Sequence, residues 1–138
     1  PYYFGTSQAE IKKRLARLPV EVAECEGQRL FSLHSGRMPE QAIPDCLLLA
    51  GFDPLVLGYE KKQSIFLPQE YLCGIFSLSG IVMPPVLLHG SAAGRWKRSG
   101  KRLFVTQFRP FSREERGFVE TAAAQLWGED MRLIFQDA

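Results

Sequence analysis

Apolar and polar positions along the chain change period several times, and each change marks an element. Ser7 followed by Glu10 has the capping-box spacing, and Ile11, Leu15 and Leu18 then recur at helical intervals until Pro19 breaks the pattern. This predicts a helix over residues 8–18, with Lys12, Lys13, Arg14 and Arg17 on its polar face. Val20 to Cys25 and Arg29 to Leu33 read as two extended runs around Glu26-Gly27-Gln28. A helix followed by a hairpin is the second half of a winged helix, and it also begins many other α+β domains. The pattern alone leaves both open. Ser35-Gly36-Arg37-Met38-Pro39 reads as a linker, so a boundary is expected near residues 35–44: residues 1–34 as one subdomain, 35–138 as a second.

Beyond it, Asp45 to Gly51 is a buried strand candidate that ends at Phe52-Asp53-Pro54. Tyr71, Leu72, Ile75 and Phe76 suit a helix from Gln69 to Leu78, with Pro68 in its first turn and Gly80 just past its end. The period then turns to two. Val82 to Leu88, Ala92 to Arg98 and Arg102 to Phe108, joined by His89-Gly90 and Ser99-Gly100, predict an antiparallel meander. Pro84 and Pro85 push their strand toward an edge or a bulge. Ser112 with Glu115 repeats the capping spacing, and Phe118, Val119, Ala122, Ala123, Leu126 and Trp127 form a helical stripe closed by Gly128. Met131 to Phe135 adds a last strand. The expected fold class is α+β: the end of a winged helix, then a β-rich antiparallel subdomain with flanking helices.

With 138 residues, 46% of them hydrophobic, the chain has enough apolar material for a real core in one domain or two small subdomains. No run reaches the roughly 18 apolar residues of a membrane span and no secretory leader is evident, so a cytoplasmic, membrane-free protein is expected. Cys25, Cys46 and Cys73 are odd in number and far apart, which fits neither a disulfide framework nor paired zinc ligands; buried thiols are expected. The chain opens at Pro1 without Met, so it reads as a piece of something longer, with Tyr2, Tyr3 and Phe4 as a candidate remnant of a lost interface.

Charge changes the picture most. The formal net charge of +2 hides a one-sided distribution. Between Glu70 and Glu114 there is no Asp or Glu, yet the stretch carries Arg95, Lys97, Arg98, Lys101, Arg102, Arg109 and Arg113. Five of these crowd a hairpin around Ser99-Gly100. Clustered cations repel one another, so they sit most easily on a solvated face or opposite a polyanion. Arg95, Lys97, Arg98, Lys101 and Arg102 are therefore candidate phosphate contacts, with Lys12, Lys13 and Arg17 a weaker set on the first helix. Strand alternation places Trp96 on the face opposite Arg95 and Lys97, which favours Trp96 as core and those two cations as solvent-facing; stacking of Trp96 on an unpaired base is the minority alternative.

Other constellations carry less. Asp53 between Phe52 and Pro54 either caps a turn or orients a loop that contacts DNA. His34 and His89 lack a second imidazole or a carboxylate at ligand spacing, so no metal is expected. Ser32, His34 and Asp45 have no nucleophile-elbow sequence around the serine, and no glycine loop suggests a nucleotide cofactor. No cofactor is expected.

Leu47 to Tyr59, Gly80-Ile81-Val82-Met83-Pro84-Pro85 through Gly90, and Gly94-Arg95-Trp96 together resemble the C-terminal part of the winged-helix DNA-binding proteins related to AlkZ-type DNA glycosylases. The likeness covers residues 46–97 well and residues 6–34 in general layout. Ala50-Gly51 stands where the family more usually has Pro-Ala, and Ser91-Ala92-Ala93 is blander than the usual hairpin strand. The resemblance implies tandem winged helices followed by a β-rich subdomain, DNA as partner, and removal of alkylated or crosslinked bases through a glutamine-containing motif in the N-terminal part. By that implication this chain is a C-terminal piece, inactive by itself, that positions duplex DNA and packs on the N-terminal domains of its parent. Two other classes stay open: a non-catalytic interaction module, and an independent hydrolase using Asp53 with Glu60 or Glu70.

Overall fold

Ser7 Oγ accepts from the Glu10 amide at 3.2 Å and starts the first helix, α1, Gln8–Leu15. Glu10 does not complete the box; its carboxylate pairs with Arg14 at 2.9 Å. The helix ends three residues before its predicted limit, because the chain tightens into single turns, Arg17 N to Arg14 O and Leu18 N to Leu15 O, ahead of Pro19. The computed structural model describes residues 5–25, 27–33, 43–61 and 64–138. It divides the chain into two compact units, Pro1–Ala42 and Ile43–Ala138. The proposed linker at 35–39, His34 and the Tyr2-Tyr3-Phe4 cluster lie outside the described residues.

In the first unit α1 is followed by an antiparallel hairpin of β1, Val20–Cys25, and β2, Gln28–Leu33, in which Val20 faces Leu33, Val22 faces Phe31 and Glu24 faces Arg29.

The second unit is built on a five-stranded sheet of β3, Cys46–Leu48, β4, Pro85–Leu88, β5, Ser91–Ser99, β6, Arg102–Gln107, and β7, Arg132–Asp137, in that spatial order. The first four strands are antiparallel. β7 is parallel to β6, which corrects the all-antiparallel expectation: α4, Arg113–Trp127, carries the chain back across the sheet as a β-α-β crossover. Ser112 and Glu115 form the complete capping box that starts it.

α4 covers one sheet face. Val119 and Ala123 pack on Val86, Leu88, Ala93, Leu103 and Val105. Leu103, Val105 and Val119 are fully buried, each worth about 1.5–3 kcal/mol of hydrophobic transfer. Leu126, expected in the stripe, is instead 56% exposed, since the sheet meets only part of that arc. On the opposite face, among the described residues of this unit, α2, Pro54–Leu57, and α3, Leu72–Ile75, cover the β3–β4 end and bury Val56, Leu67, Ile75, Val82, Leu87 and Ala92.

Further expectations are corrected. The helix predicted over 69–78 is a 3₁₀ turn, Gln69–Tyr71, and one turn of α3, because Phe76 leaves it to bridge Val82 and the Ile75 carbonyl accepts from Met83 N. Of the edge or bulge expected from Pro84 and Pro85, the irregularity is what forms, since β4 is an interior strand. Pro85 opens the strand, where its missing N–H is tolerated, and the register shifts between Val86 and Leu87. The turn of the basic hairpin is Gly100-Lys101 rather than Ser99-Gly100, since Ser99 pairs with Arg102. Cys46 is buried but Cys73 is exposed on α3, unlike the buried thiol expected there.

Candidate nucleic-acid interface

Pairing of β5, β6 and β7 aligns three rows of side chains on the part of the sheet face opposite α4 which, among the described residues of this unit, α2 and α3 leave bare. They are Arg95–Thr106–Gln136, Lys97–Phe104–Ile134 and Ser99–Arg102–Arg132. Four of the nine positions are cations and none is acidic. The acid on these strands, Asp137, accepts from Gln107 Nε2 at 3.4 Å, on the α4 side. An open groove of about 460 Å³ runs over the first two rows and Ser99, lined among others by Met83, Arg95, Lys97, Phe104 and Gln136.

The five hairpin cations therefore do not act as one set. Lys97 and Arg102 are exposed on the bare face. Arg95 belongs to the same face, yet it is half-buried and donates from Nη1 to the Gly74 carbonyl at 3.1 Å, which corrects its solvent-facing expectation. The end of the α3 layer captures one of its five N–H groups. Arg98 lies on the other side of β5, its guanidinium carbon 5.6 Å from the Trp127 ring centre. Lys101, at the turn, pairs with Asp130 at 3.1 Å; both side chains are at least 80% exposed, so the pair is worth at most about 1 kcal/mol.

Trp96 packs toward α4 as strand alternation expects. Its Nε1 donates to the Leu49 carbonyl at 2.9 Å and its ring centre lies 5.2 Å from that of Trp127. Both its polar group and its face are occupied by the fold.

Arg109, another cation of the acid-free stretch, is also neutralised by a residue outside that stretch. It makes a two-pronged contact to Glu115, Nη1 to Oε2 at 3.0 Å and Nη2 to Oε1 at 2.5 Å. The Arg109 hydrogen bonds, helped by the Ser112 amide, hold the Glu115 carboxyl down at about 2.

Asp53 caps α2: its Oδ1 accepts from Leu55 N at 2.9 Å, Pro54 occupies the first helical turn, and Phe52 before it adopts φ 60° and is exposed. The turn-capping alternative accounts for that geometry. His89 has a carboxylate neighbour that sequence spacing hid, since pairing of β3 with β4 brings Asp45 Oδ1 to 3.5 Å from its Nδ1. Among the described residues no group of three His, Cys, Asp or Glu is placed to hold a metal, and no helix is long and apolar enough to cross a membrane. Lys12, Lys13 and Arg17 are exposed on and just after α1, in the first unit.

Sequence reasoning missed Phe104, Ile134 and Arg132. Alternation within residues 102–108 carried a signal for Phe104 beside Arg102. Nothing local announced Arg132, because a parallel partner is set by the crossover and not by a turn.

The geometry can be set against known proteins. A family model described as DNA glycosylase AlkZ-like matches residues 1–128. The interstrand DNA cross-link repair glycosylase of Streptomyces sahachiroi is 29% identical over 127 residues, which are 88% of this chain and 34% of that protein. The solved structure of Streptomyces sahachiroi DNA glycosylase AlkZ superimposes with a TM-score of 0.74 at 26% identity, over 96% of this chain and 38% of that one. The chain thus spans about a third of the length of the curated relative it matches. With its residues 1–128 accounted for by that family model, the chain belongs to the AlkZ-like DNA glycosylase family.

Proposed function

We propose that this chain is the DNA-holding part of an AlkZ-like DNA repair glycosylase, binding duplex DNA through its phosphates while base removal is performed by other parts of a longer parent protein. In this reading the first unit completes a winged helix, whose Lys12, Lys13 and Arg17 add phosphate contacts. The observation that carries it is the bare sheet face: Arg95, Lys97, Arg102 and Arg132 on three adjoining strands, with no carboxylate among them. Arg98 and Lys101 extend the field around the hairpin tip, and Phe52-Asp53-Pro54 shapes a loop on the α2 side. Phosphate contacts of this kind position the duplex and carry no sequence information.

The test is fluorescence-anisotropy binding of the chain to a labelled duplex at several salt concentrations. The four cations of the sheet face contribute about −3.6 to the slope of log affinity against log salt, a factor of about 150 between about 50 and 200 mM, and contacts from the first unit steepen it further. The double substitution Arg102→Ala with Arg132→Ala should make the slope shallower by about 1.8. Binding indifferent to salt, or a slope untouched by the double substitution, would refute the assignment.

A second reading, a non-catalytic module that packs on the rest of its parent, is favoured by one feature of the first unit. Leu18, Val22, Phe31 and Leu33 are 47–58% exposed there, an apolar surface of the sort that marks an interface. Loss of association with the parent's N-terminal part after Phe31→Ser and Leu33→Ser, with DNA binding unchanged, would support it.

A further inference from the structure

Charge alone does not explain the middle row of the bare face. Phe104 and Ile134 belong to neither of the two cores, yet they occupy its centre with Lys97 beside them. We infer that this face also takes a nucleotide that has left its base pair, the base lying on Phe104 and the flanking phosphates on the surrounding cations. The inference rests on the reading of the face as a DNA interface and specifies the form of DNA it prefers.

A base inside a duplex has its ring faces covered by its neighbours and shows only edges in the grooves. An aromatic ring on a sheet surface therefore reaches a ring face only when the nucleotide is unstacked, which is how single-stranded nucleic acid is held on aromatic platforms. The surroundings of Phe104 supply what such a nucleotide needs. Arg95 lies one row away on one side, and Arg102 and Arg132 one row away on the other, about 7 Å along the strands, so cations flank the ring in both directions that a strand can run. Gln136 Nε2 donates to Thr106 Oγ1 at 3.0 Å, which fixes the carboxamide next to the ring. The amide still carries a second N–H and an acceptor oxygen suited to a base edge. Trp96 is unsuited to the task, because its ring faces Trp127 and its N–H is held by Leu49.

The experiment compares the full chain on two labelled duplexes, one fully paired and one carrying a single bulged 2-aminopurine, read by anisotropy and by 2-aminopurine fluorescence. Wild type should bind the bulged duplex about tenfold tighter and quench the probe. Phe104→Leu should abolish both effects while leaving paired-duplex affinity and its salt slope intact, and Phe104→Trp should retain them. A melting temperature for each variant separates lost stacking from lost folding. If wild type shows no bulge preference, or Phe104→Leu keeps it, the stacking inference falls, and a salt slope that still drops in the Arg102→Ala, Arg132→Ala protein leaves the phosphate reading standing. If the bulge preference persists with no dependence on the arginines or on salt, both fall.

Discussion

Gly94 is the position where the sheet has no room for one more carbon. It lies in β5 opposite Gln107, and a Cβ added to it would come 2.6 Å from the Thr106 carbonyl oxygen and 3.2 Å from Phe111 Cζ. Repulsion of that kind is relieved only when the neighbours retreat by nearly an ångström. The nearer atom is backbone of β6, a strand held between β5 and β7, so no rotamer change can clear it. Gly94→Ala must then strain the β5–β6 ladder and the packing of Phe111 together. Overpacking costs about 1–3 kcal/mol and a weakened ladder hydrogen bond about 1 kcal/mol more, so the total is about 2–4 kcal/mol. In a unit of this size that lowers the melting temperature by about 10–20 °C. Circular dichroism melts of wild type and variant measure it, with Gly117→Ala as the internal contrast. Gly117 is inside α4 with nothing within 4 Å of where an alanine methyl would stand and no positive φ, so alanine there should raise stability by about 0.5–1 kcal/mol. Equal melting temperatures for Gly94→Ala and wild type, or equal changes at the two glycines, would refute the steric argument.

The Arg109–Glu115 pair gives the fold an acid-sensitive element. Because the folded carboxyl sits at about 2 against an ordinary 4.5, its contribution is complete above pH 4.5 and is lost as the pH falls from there toward 2. Arg109 is 43% exposed, so screening limits the contribution to about 1–2 kcal/mol; urea melts of Glu115→Gln should show that loss at pH 7 and a shallower decline than wild type between pH 4.5 and 2. Burial pushes the Cys46 thiol up to about 12, while Cys73 is exposed. Alkylation of the native chain at pH 8, mapped by mass spectrometry, should label Cys73 and spare Cys46 until denaturant is added, because only the thiolate reacts. Trp96→Phe leaves the Leu49 carbonyl without its indole donor and should cost about 1–3 kcal/mol in a denaturant melt; an unchanged midpoint would mean that bond contributes nothing.

Features governed by neighbours in sequence were legible before the structure. The Ser112–Glu115 box, the inward face of Trp96 and the antiparallel core of the sheet all follow from spacing and alternation. What escaped depended on partners far along the chain. The segment at 69–78 has helical periodicity, but Phe76 does better paired with Val82 than continuing a helix. Pro84 and Pro85 argued for an edge or a bulge; the strand is interior and irregular between Val86 and Leu87, and Pro85 sits at its start, where an N–H is dispensable. The basic hairpin read as a single charged finger because a sequence cannot show that Asp130 reaches Lys101 or that Arg98 lies over Trp127. The candidate site was thus half visible: Arg95, Lys97 and Arg102 from the hairpin, without Phe104 in their midst or Arg132 beside them.

Arg102 and Arg132 are register partners on neighbouring parallel strands. Like charges directly opposite one another in a sheet work against it. Holding them there lowers the stability of the unbound protein, and an anion that bridges them returns it, since a ligand that binds only the folded form raises its stability in proportion to occupancy. Sequences selected for stability alone would lose one arginine of the pair. On the proposed reading, keeping both is the compromise in which a binding surface is held ready at the expense of the fold that displays it.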